Sequence, residues 1–198
     1  MTDRLILASK SAARANVLRG SGIEFEQIVA GVDEEAIKAG LRAEGASPQK
    51  QAELLAETKA VKVSRGRREI VLGADQVLDL DGEAFDKPAD LNAAREQLIM
   101  LRGRQHKLQT ALVACIEGAP VWRHVAQPSL TMRNFSDGFL QDYLEREGMD
   151  LCSTVGGYKL EGRGAQLFDR IEGDFFSILG LPLLPLLAWL RDRNSIST

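Results

Sequence analysis

Only two cysteines, Cys115 and Cys152, occur in the 198 residues, and they form no CxxC pair. That is too few for a disulfide scaffold and points to a reducing compartment. The two histidines, His106 and His124, show no metal-ligand spacing and read as structural. There is no basic surplus. Lys and Arg number 25 against 28 Asp and Glu, a net charge of −3. A general binder of nucleic acid is therefore not expected, and a polyanionic ligand would have to meet a local cationic site built from a few placed side chains. Long apolar runs are also missing. The most apolar stretch, Phe175 to Leu190, contains Gly180, Pro182 and Pro185 and falls short of the roughly 20 uninterrupted residues that span a bilayer. It reads as a core strand followed by a closing helix, with no membrane partner expected. The opening MTDRLILASK lacks a signal-peptide profile, so the expected location is cytoplasmic. No repeat or low-complexity tract is visible.

What is present is an ordinary globular balance, 44% hydrophobic and 27% charged, long enough for one large domain or two tightly joined lobes. A single domain over residues 1–198 is expected. Leu5 to Ala8 is an apolar run without alternation, suited to a strand buried on both faces. Ser9-Lys10-Ser11 then opens a helix through Val17 and Leu18 that stops near Gly20 and Gly22. Phe25 to Ala30 reads as a second strand. Ser47-Pro48 starts a helix to about Ser64, with Ala52, Leu55, Ala56 and Val63 on one face and Lys59 pointing inward with them. Ile70 to Leu72 is a buried strand that ends at Gly73 to Gln76, and Asp81-Gly82 is a hairpin turn. A helix follows from about Asn92 to Leu101. A strand over Lys107 to Ile116 turns at Gly118 to Pro120 and returns over Val121 to Arg133, interrupted by Pro128. Ser136 caps a helix to about Glu147, and Gly156 to Gly164 reads as a loop. A helix over Ala165 to Ile171, a strand over Phe176 to Leu179 and a helix to Trp189 complete the pattern. Strands alternating with helices predict an α/β fold with a mixed sheet.

Four groups of residues could carry chemistry. Ser9-Lys10-Ser11 with Arg14 lies where a strand runs into a helix N-terminus, whose free N–H groups and dipole favour an anion. Arg14, one turn on, could add a fork of donors. The plainer alternative is an ordinary cap beside a solvated arginine. Asp75 sits among apolar residues, where an unpaired carboxylate is costly, so it needs a metal, a lysine or a water-filled cleft. Otherwise it is a turn aspartate bonding its own backbone. Gly73 nearby lets another group approach the backbone closely. Lys59, on an apolar helix face, and Lys87, held extended by Pro88, could aim two ammonium groups at one cleft. Alternatively each snorkels, stem packed and head in water. Asp33-Glu34-Glu35 could ligate Mg²⁺ or Mn²⁺ or form a solvated first turn of a helix. The tryptophans and most phenylalanines read as core.

In order, LILASKSAAR, VDEE at Val32 to Glu35, LAETKA around Lys59, GADQVLDLDG around Asp75, DKP at Asp86 to Pro88, LRGRQH at Leu101 to His106, LEGRGAQLFDRIEG and GLPLLPLL resemble the Maf family of nucleotide pyrophosphatases over nearly the whole chain. The resemblance implies an elongated mixed β-sheet flanked by helices, with two lobes and a central cleft. It implies hydrolysis of a nucleoside triphosphate to monophosphate and pyrophosphate with a divalent cation, Mg²⁺, Mn²⁺ or Co²⁺, and a possible homodimer. Carried over residue by residue, Asp75 is the catalytic proton acceptor, Lys59 and Lys87 are the two lysines, Ser9 and Arg14 bind phosphate, and Glu34 stands with Asp75 near the metal. Three positions separate branches of the family: Ala13, Gln76 and Glu161. Gln76 and Glu161 resemble the 7-methyl-GTP branch, as do KLEG at Lys159 to Gly162 and LFDRIEG at Leu167 to Gly173. The branch acting on dTTP and UTP reads threonine and glutamine at positions 76 and 161. A 7-methylguanine base is cationic, so a carboxylate at Glu161 would attract it, although the same residue could be a plain exposed loop acid. Ala12-Ala13 departs from the family pattern of proline followed by arginine or tryptophan. A nucleotide-binding regulator of septum formation with little turnover is the competing function, and the retained Asp75, Lys59 and Lys87 weigh against it.

Overall fold

The structure, a computed structural model, describes residues 4–197. β1 (Leu5–Leu7) turns into α1 (Ala12–Gly20), whose N-cap Ser11 accepts from the Arg14 backbone N–H. β2 (Phe25–Gln27) is followed by α2 (Glu34–Ala43), capped by Asp33. α3 (Pro48–Ser64) starts at the Ser47 cap with proline at its head, a position where a missing N–H costs nothing. β3 (Ile70–Leu80) and β4 (Glu83–Phe85) form the hairpin signalled by Asp81-Gly82. α4 (Leu91–Leu101), β5 (Gln105–Ile116), β6 (Ala119–Ala126), β7 (Ser129–Met132) and α5 (Asp137–Glu147) follow. Two 3-10 turns, Gly148–Ser153 and Arg163–Leu167, lead to β8 (Phe168–Glu172), the short α6 (Phe175–Ile178) and α7 (Leu183–Asp192).

Among the described residues one eight-stranded mixed sheet runs in the order β2-β1-β3-β5-β7-β8, with β4 on β3 and β6 on β5. β1 is parallel to β2 and β3, and the remaining pairs are antiparallel. β3 is the hinge of the architecture. One edge pairs with β5 from Val71 to Asp79. The other pairs with β1 only over Ile70 to Leu72 and with β4 only over Leu78 to Leu80. Between them the edge from Gly73 to Val77 is open.

Side chains alternate along β3, so its even-numbered positions share a face. Ile70, Leu72 and Ala74 enter an apolar core with α1 and α7, whereas Leu78 and Leu80 enter a second core with α4 and α5. Gln76 lies between the two. On the other face, Ala52, Ala56 and Ala60 of α3 pack with Val77, Ala111 and Val113.

Several expected elements differ. The strand at Ile70 does not stop at Gly73 but continues through Asp75 to Leu80, held along its length by β5. The second strand ends at Gln27, short of Ala30. The helix expected over Ala165 to Ile171 is a 3-10 turn and then β8, which pairs Leu130 with Ile171 at the sheet edge. The strand expected over Phe176 to Leu179 is α6, because Asp174 accepts from the Ser177 N–H as an N-cap. The acidic run Asp33 to Glu35 is the cap and first turn of α2, a helix with no buried residue.

Candidate active site

The open edge of β3, the turn after β1, the start of α2 and the loop after α5 enclose a cleft of about 680 Å³. Ser9, Arg14, Glu34, Lys59, Asp75 and Lys87 all line it. So do the three branch-separating positions, Ala13, Gln76 and Glu161. Every residue given a role by the resemblance is thus brought to one place, whereas Asp33 and Glu35 of the acidic run do not line the cleft.

Lys59 is the centre of charge. Its Nζ lies 2.7 Å from Asp75 Oδ1 and 3.1 Å from Glu34 Oε2, and Lys59 and Asp75 are each only 6% exposed. Two buried opposite charges with hydrogen-bonding geometry are tolerable where either alone is not. Gly73 makes the contact possible. A Cβ there would lie 2.1 Å from the Ala56 carbonyl oxygen and 2.6 Å from the Ala60 nitrogen. α3 therefore rests directly on the β3 backbone and delivers Lys59 to Asp75. Desolvation alone would raise the Glu34 carboxyl pKa, but Lys59, with Lys38 and Lys10 beyond it, outweighs that and holds it below the usual value.

Facing this triad is an anion-friendly turn. Ser9 Oγ accepts from the Ser11 N–H at 3.2 Å and from Arg14 Nη1 at 3.3 Å, which leaves its own proton to donate. Arg14 Nε donates to the Gly180 carbonyl at 2.9 Å. Burial lowers the Arg14 pKa, and Asp75 and Glu34 oppose that shift. The first N–H groups of α1, at Ala12 and Ala13, point from a helix N-terminus that lines the cleft, where such groups favour negative charge.

Lys87 stands exposed at the rim. Partial desolvation, and repulsion from Arg14 and Lys10, lower its pKa below the usual lysine value. Ala13 presents only a methyl group, and Glu161 is exposed on the opposite wall. The Gln76 amide is engaged within the protein, with Nε2 2.8 Å from Thr110 Oγ1 and 3.1 Å from both the Ser177 and Ile178 carbonyl oxygens.

Lys10, from the Ser9-Lys10-Ser11 group, also lines the cleft. Three contributors were not anticipated: Lys38, Gln27 and Gly180. Lys38 lines the cleft as well. Lys38 follows Glu34 by four residues, so it shares that face of α2, a signal legible in the sequence. It pairs with Asp86 at 2.9 Å, and Arg42 pairs with the same carboxylate at 2.5 Å, which ties α2 to the segment carrying Lys87. Gln27 holds the Ser9 carbonyl at 2.8 Å, and Gly180 holds Arg14. Both act across long sequence separations and left no local trace.

No group of three or more His, Cys, Asp or Glu positioned to hold a metal occurs among the described residues. Glu34 and Asp75 supply two carboxylates converging on one ammonium. An all-oxygen pair of this kind suits Mg²⁺ or Mn²⁺ when phosphate oxygens and water complete the shell. His106 and His124 take no part: His106 is buried against Tyr158, and His124 stacks on Trp122.

Fold and cleft together define a mixed α/β protein with one cleft in which basic and acidic side chains converge. The chain belongs to the family described as Maf-like protein, whose sequence model matches residues 4–193. It is 51% identical over 198 residues to a protein of Hyphomonas neptunium named nucleoside triphosphate pyrophosphatase, covering 100% of both chains. A protein of Caulobacter vibrioides with the same name is 52% identical, with 96% of each chain covered. A protein of Brucella abortus named 7-methyl-GTP pyrophosphatase is 47% identical, with 99% of each covered.

Proposed function

We propose that this chain is a nucleoside triphosphate pyrophosphatase that hydrolyses the bond between the α- and β-phosphates and releases a nucleoside monophosphate and pyrophosphate. The observation that carries the reading is Lys59, buried between Asp75 and Glu34 on one wall of a cleft whose other wall is the Ser9–Arg14 turn. Membership of the Maf-like family and the names of its relatives support it.

Water attacks the α-phosphorus, the bond to the bridging oxygen of the β-phosphate breaks, and pyrophosphate leaves with that electron pair. Asp75 accepts the proton of the attacking water. Lys59 holds the carboxylate in place through its 2.7 Å contact. Ser9, Arg14 and the N-terminus of α1 bind phosphate oxygens, and Lys87, with Lys10 and Lys38, offsets charge moving onto the leaving group. Glu34 and Asp75 would hold a divalent cation, Mg²⁺, Mn²⁺ or Co²⁺, which supplies further neutralisation of the phosphate chain. The two free cysteines support a cytoplasmic place of work.

For the base, we read 7-methyl-GTP or another modified nucleotide. Glu161 has no ion-pair partner among the described residues and faces the cleft, so a cationic base finds a carboxylate there, while Ala13 leaves room beside it. Pyrophosphate release with product identification, run on 7-methyl-GTP, GTP, dTTP and UTP, tests the reading. Turnover of 7-methyl-GTP well above the others is expected, abolished by a chelator and lowered roughly 10²- to 10⁴-fold by Asp75→Asn. Equal rates on GTP and 7-methyl-GTP would remove the role of Glu161, and preference for dTTP or UTP would move the chain to that activity. Hydrolysis surviving intact in Asp75→Asn would refute the role of Asp75. Nucleotide binding without any pyrophosphate release would favour a regulator.

A further inference from the structure

We propose that Gln76 is a positioning residue for Arg14 and does not read the base with its amide N–H groups. The inference rests on the phosphate-binding role of Arg14 set out above. Gln76 follows Asp75 in β3, so the two side chains leave opposite faces of the sheet. Its Nε2 meets Thr110 Oγ1, the Ser177 carbonyl and the Ile178 carbonyl. Two of those three partners are carbonyl oxygens, which only accept, so the NH₂ end must be the one that faces them. Both amide hydrogens are then taken up by the protein, and neither remains for a ligand.

The Ser177 carbonyl is the hub. It also accepts from Thr110 Oγ1 at 3.0 Å and from the Gly180 N–H at 3.1 Å. The carbonyl of that same Gly180 receives Arg14 Nε at 2.9 Å. Gly180 has φ +94°, and a Cβ there would lie 3.2 Å from Arg14 Nε, so the turn is shaped around the guanidinium. α6 has four residues, too few to hold their shape through intrahelical bonds alone. The donors of Gln76 and Thr110 therefore fix where the turn sits, and the turn aims Arg14 at Ser9. Thr110 is fully buried and cannot touch a ligand, so it separates positioning from contact.

The test uses inorganic tripolyphosphate, a probe with no base. Its binding to the full chain is measured by calorimetry, beside KM and kcat for 7-methyl-GTP, GTP and UTP. Gln76→Met keeps the volume and removes the donors; Thr110→Val does the same for the hydroxyl. Each is expected to weaken tripolyphosphate binding about tenfold and to raise KM for all three nucleotides, with their ratios unchanged in Thr110→Val. Thr110→Ser, which keeps the hydroxyl, restores binding. In an Arg14→Lys background, Gln76→Met adds less than about twofold, as expected for residues acting as one unit. Should Thr110→Val fail to fold, Gln76→Met decides alone. Tripolyphosphate affinity in Gln76→Met within about twofold of wild type overturns the proposal, whatever happens to the base ratios. A wild-type chain that binds no tripolyphosphate overturns the phosphate role of Arg14 itself, a distinct failure seen before any variant is made.

Discussion

Replacing Gly73 by alanine is the most severe small change this structure offers. The added Cβ would sit 2.1 Å from the Ala56 carbonyl oxygen, 2.6 Å from the Ala60 nitrogen and 2.8 Å from the Ala60 Cβ, where ordinary contact begins near 3.4 Å. Two of these neighbours are helix backbone and cannot rotate away. α3 must therefore lift from β3 by roughly 1 Å, because a close-packed interior has no slack to absorb the group. Overpacking of this kind costs about 1–3 kcal/mol, and the backbone contacts place Gly73→Ala at the upper end, about 3 kcal/mol. The same shift carries Lys59 away from Asp75. A displacement near 1 Å in a reacting constellation costs on the order of 10²-fold in rate. Urea unfolding followed by tryptophan fluorescence gives the first quantity, and pyrophosphate release the second. Gly40→Ala is the matched control. Gly40 lies in α2 with nothing within 4 Å of the added carbon, so the same substitution should stabilise by about 0.4–1 kcal/mol and leave turnover alone. If Gly73→Ala unfolds at the wild-type urea midpoint and turns over at the wild-type rate, α3 does not rest on β3 as described.

Lys59→Met leaves Asp75 and Glu34 without their shared cation. Loss of one partner of a buried pair costs about 3–5 kcal/mol, and the 34% side-chain exposure of Glu34 reduces the expectation to about 2–4 kcal/mol at neutral pH. Glu34 is held below its ordinary pKa of 4.5, so its share of the stability is present above that value and is lost as pH falls through the folded-state pKa. The gap between wild type and Lys59→Met should therefore narrow as pH falls below 4.5, and a gap that stays constant through acid unfolding would contradict the pairing. His106 gives a separate pH signature. Burial pushes its imidazole from 6.5 down to about 4, so the unfolded chain takes up a proton that the folded protein refuses. Stability should fall by about 3 kcal/mol as pH drops from 6.5 to 4, and His106→Gln should flatten that slope in pH-dependent thermal melts.

Elements with strong terminal signals were legible. Ser47-Pro48 marked the start of α3, Ser136 that of α5, and Asp81-Gly82 the β3–β4 turn. Short apolar runs near the C-terminus were not, because four or five hydrophobic residues fit helix and strand equally. The Asp174 cap, three residues before Ser177, was the overlooked cue for α6. β8 could not be found locally, since an exposed edge strand has no alternation to show and its partner lies in β7. At the site, the inward direction of Lys59 followed from helical spacing. Lys87 was marked by the proline after it and the branch positions by resemblance, and the fold brings them to the same cleft. What stayed hidden was long-range bonding: Arg14 to Gly180, and Gln76 to Ser177 and Ile178, span more than a hundred residues.

Neighbouring positions in β3 send a carboxylate to one side of the sheet and an amide to the other. Inserting or deleting one residue within Ile70–Leu80 would exchange those directions and turn the apolar positions over with them. The turn at Arg65 to Arg68 just upstream, all four residues exposed, carries no such constraint. Length variation in functional variants of this chain should accumulate there and be excluded from the eleven residues of the strand.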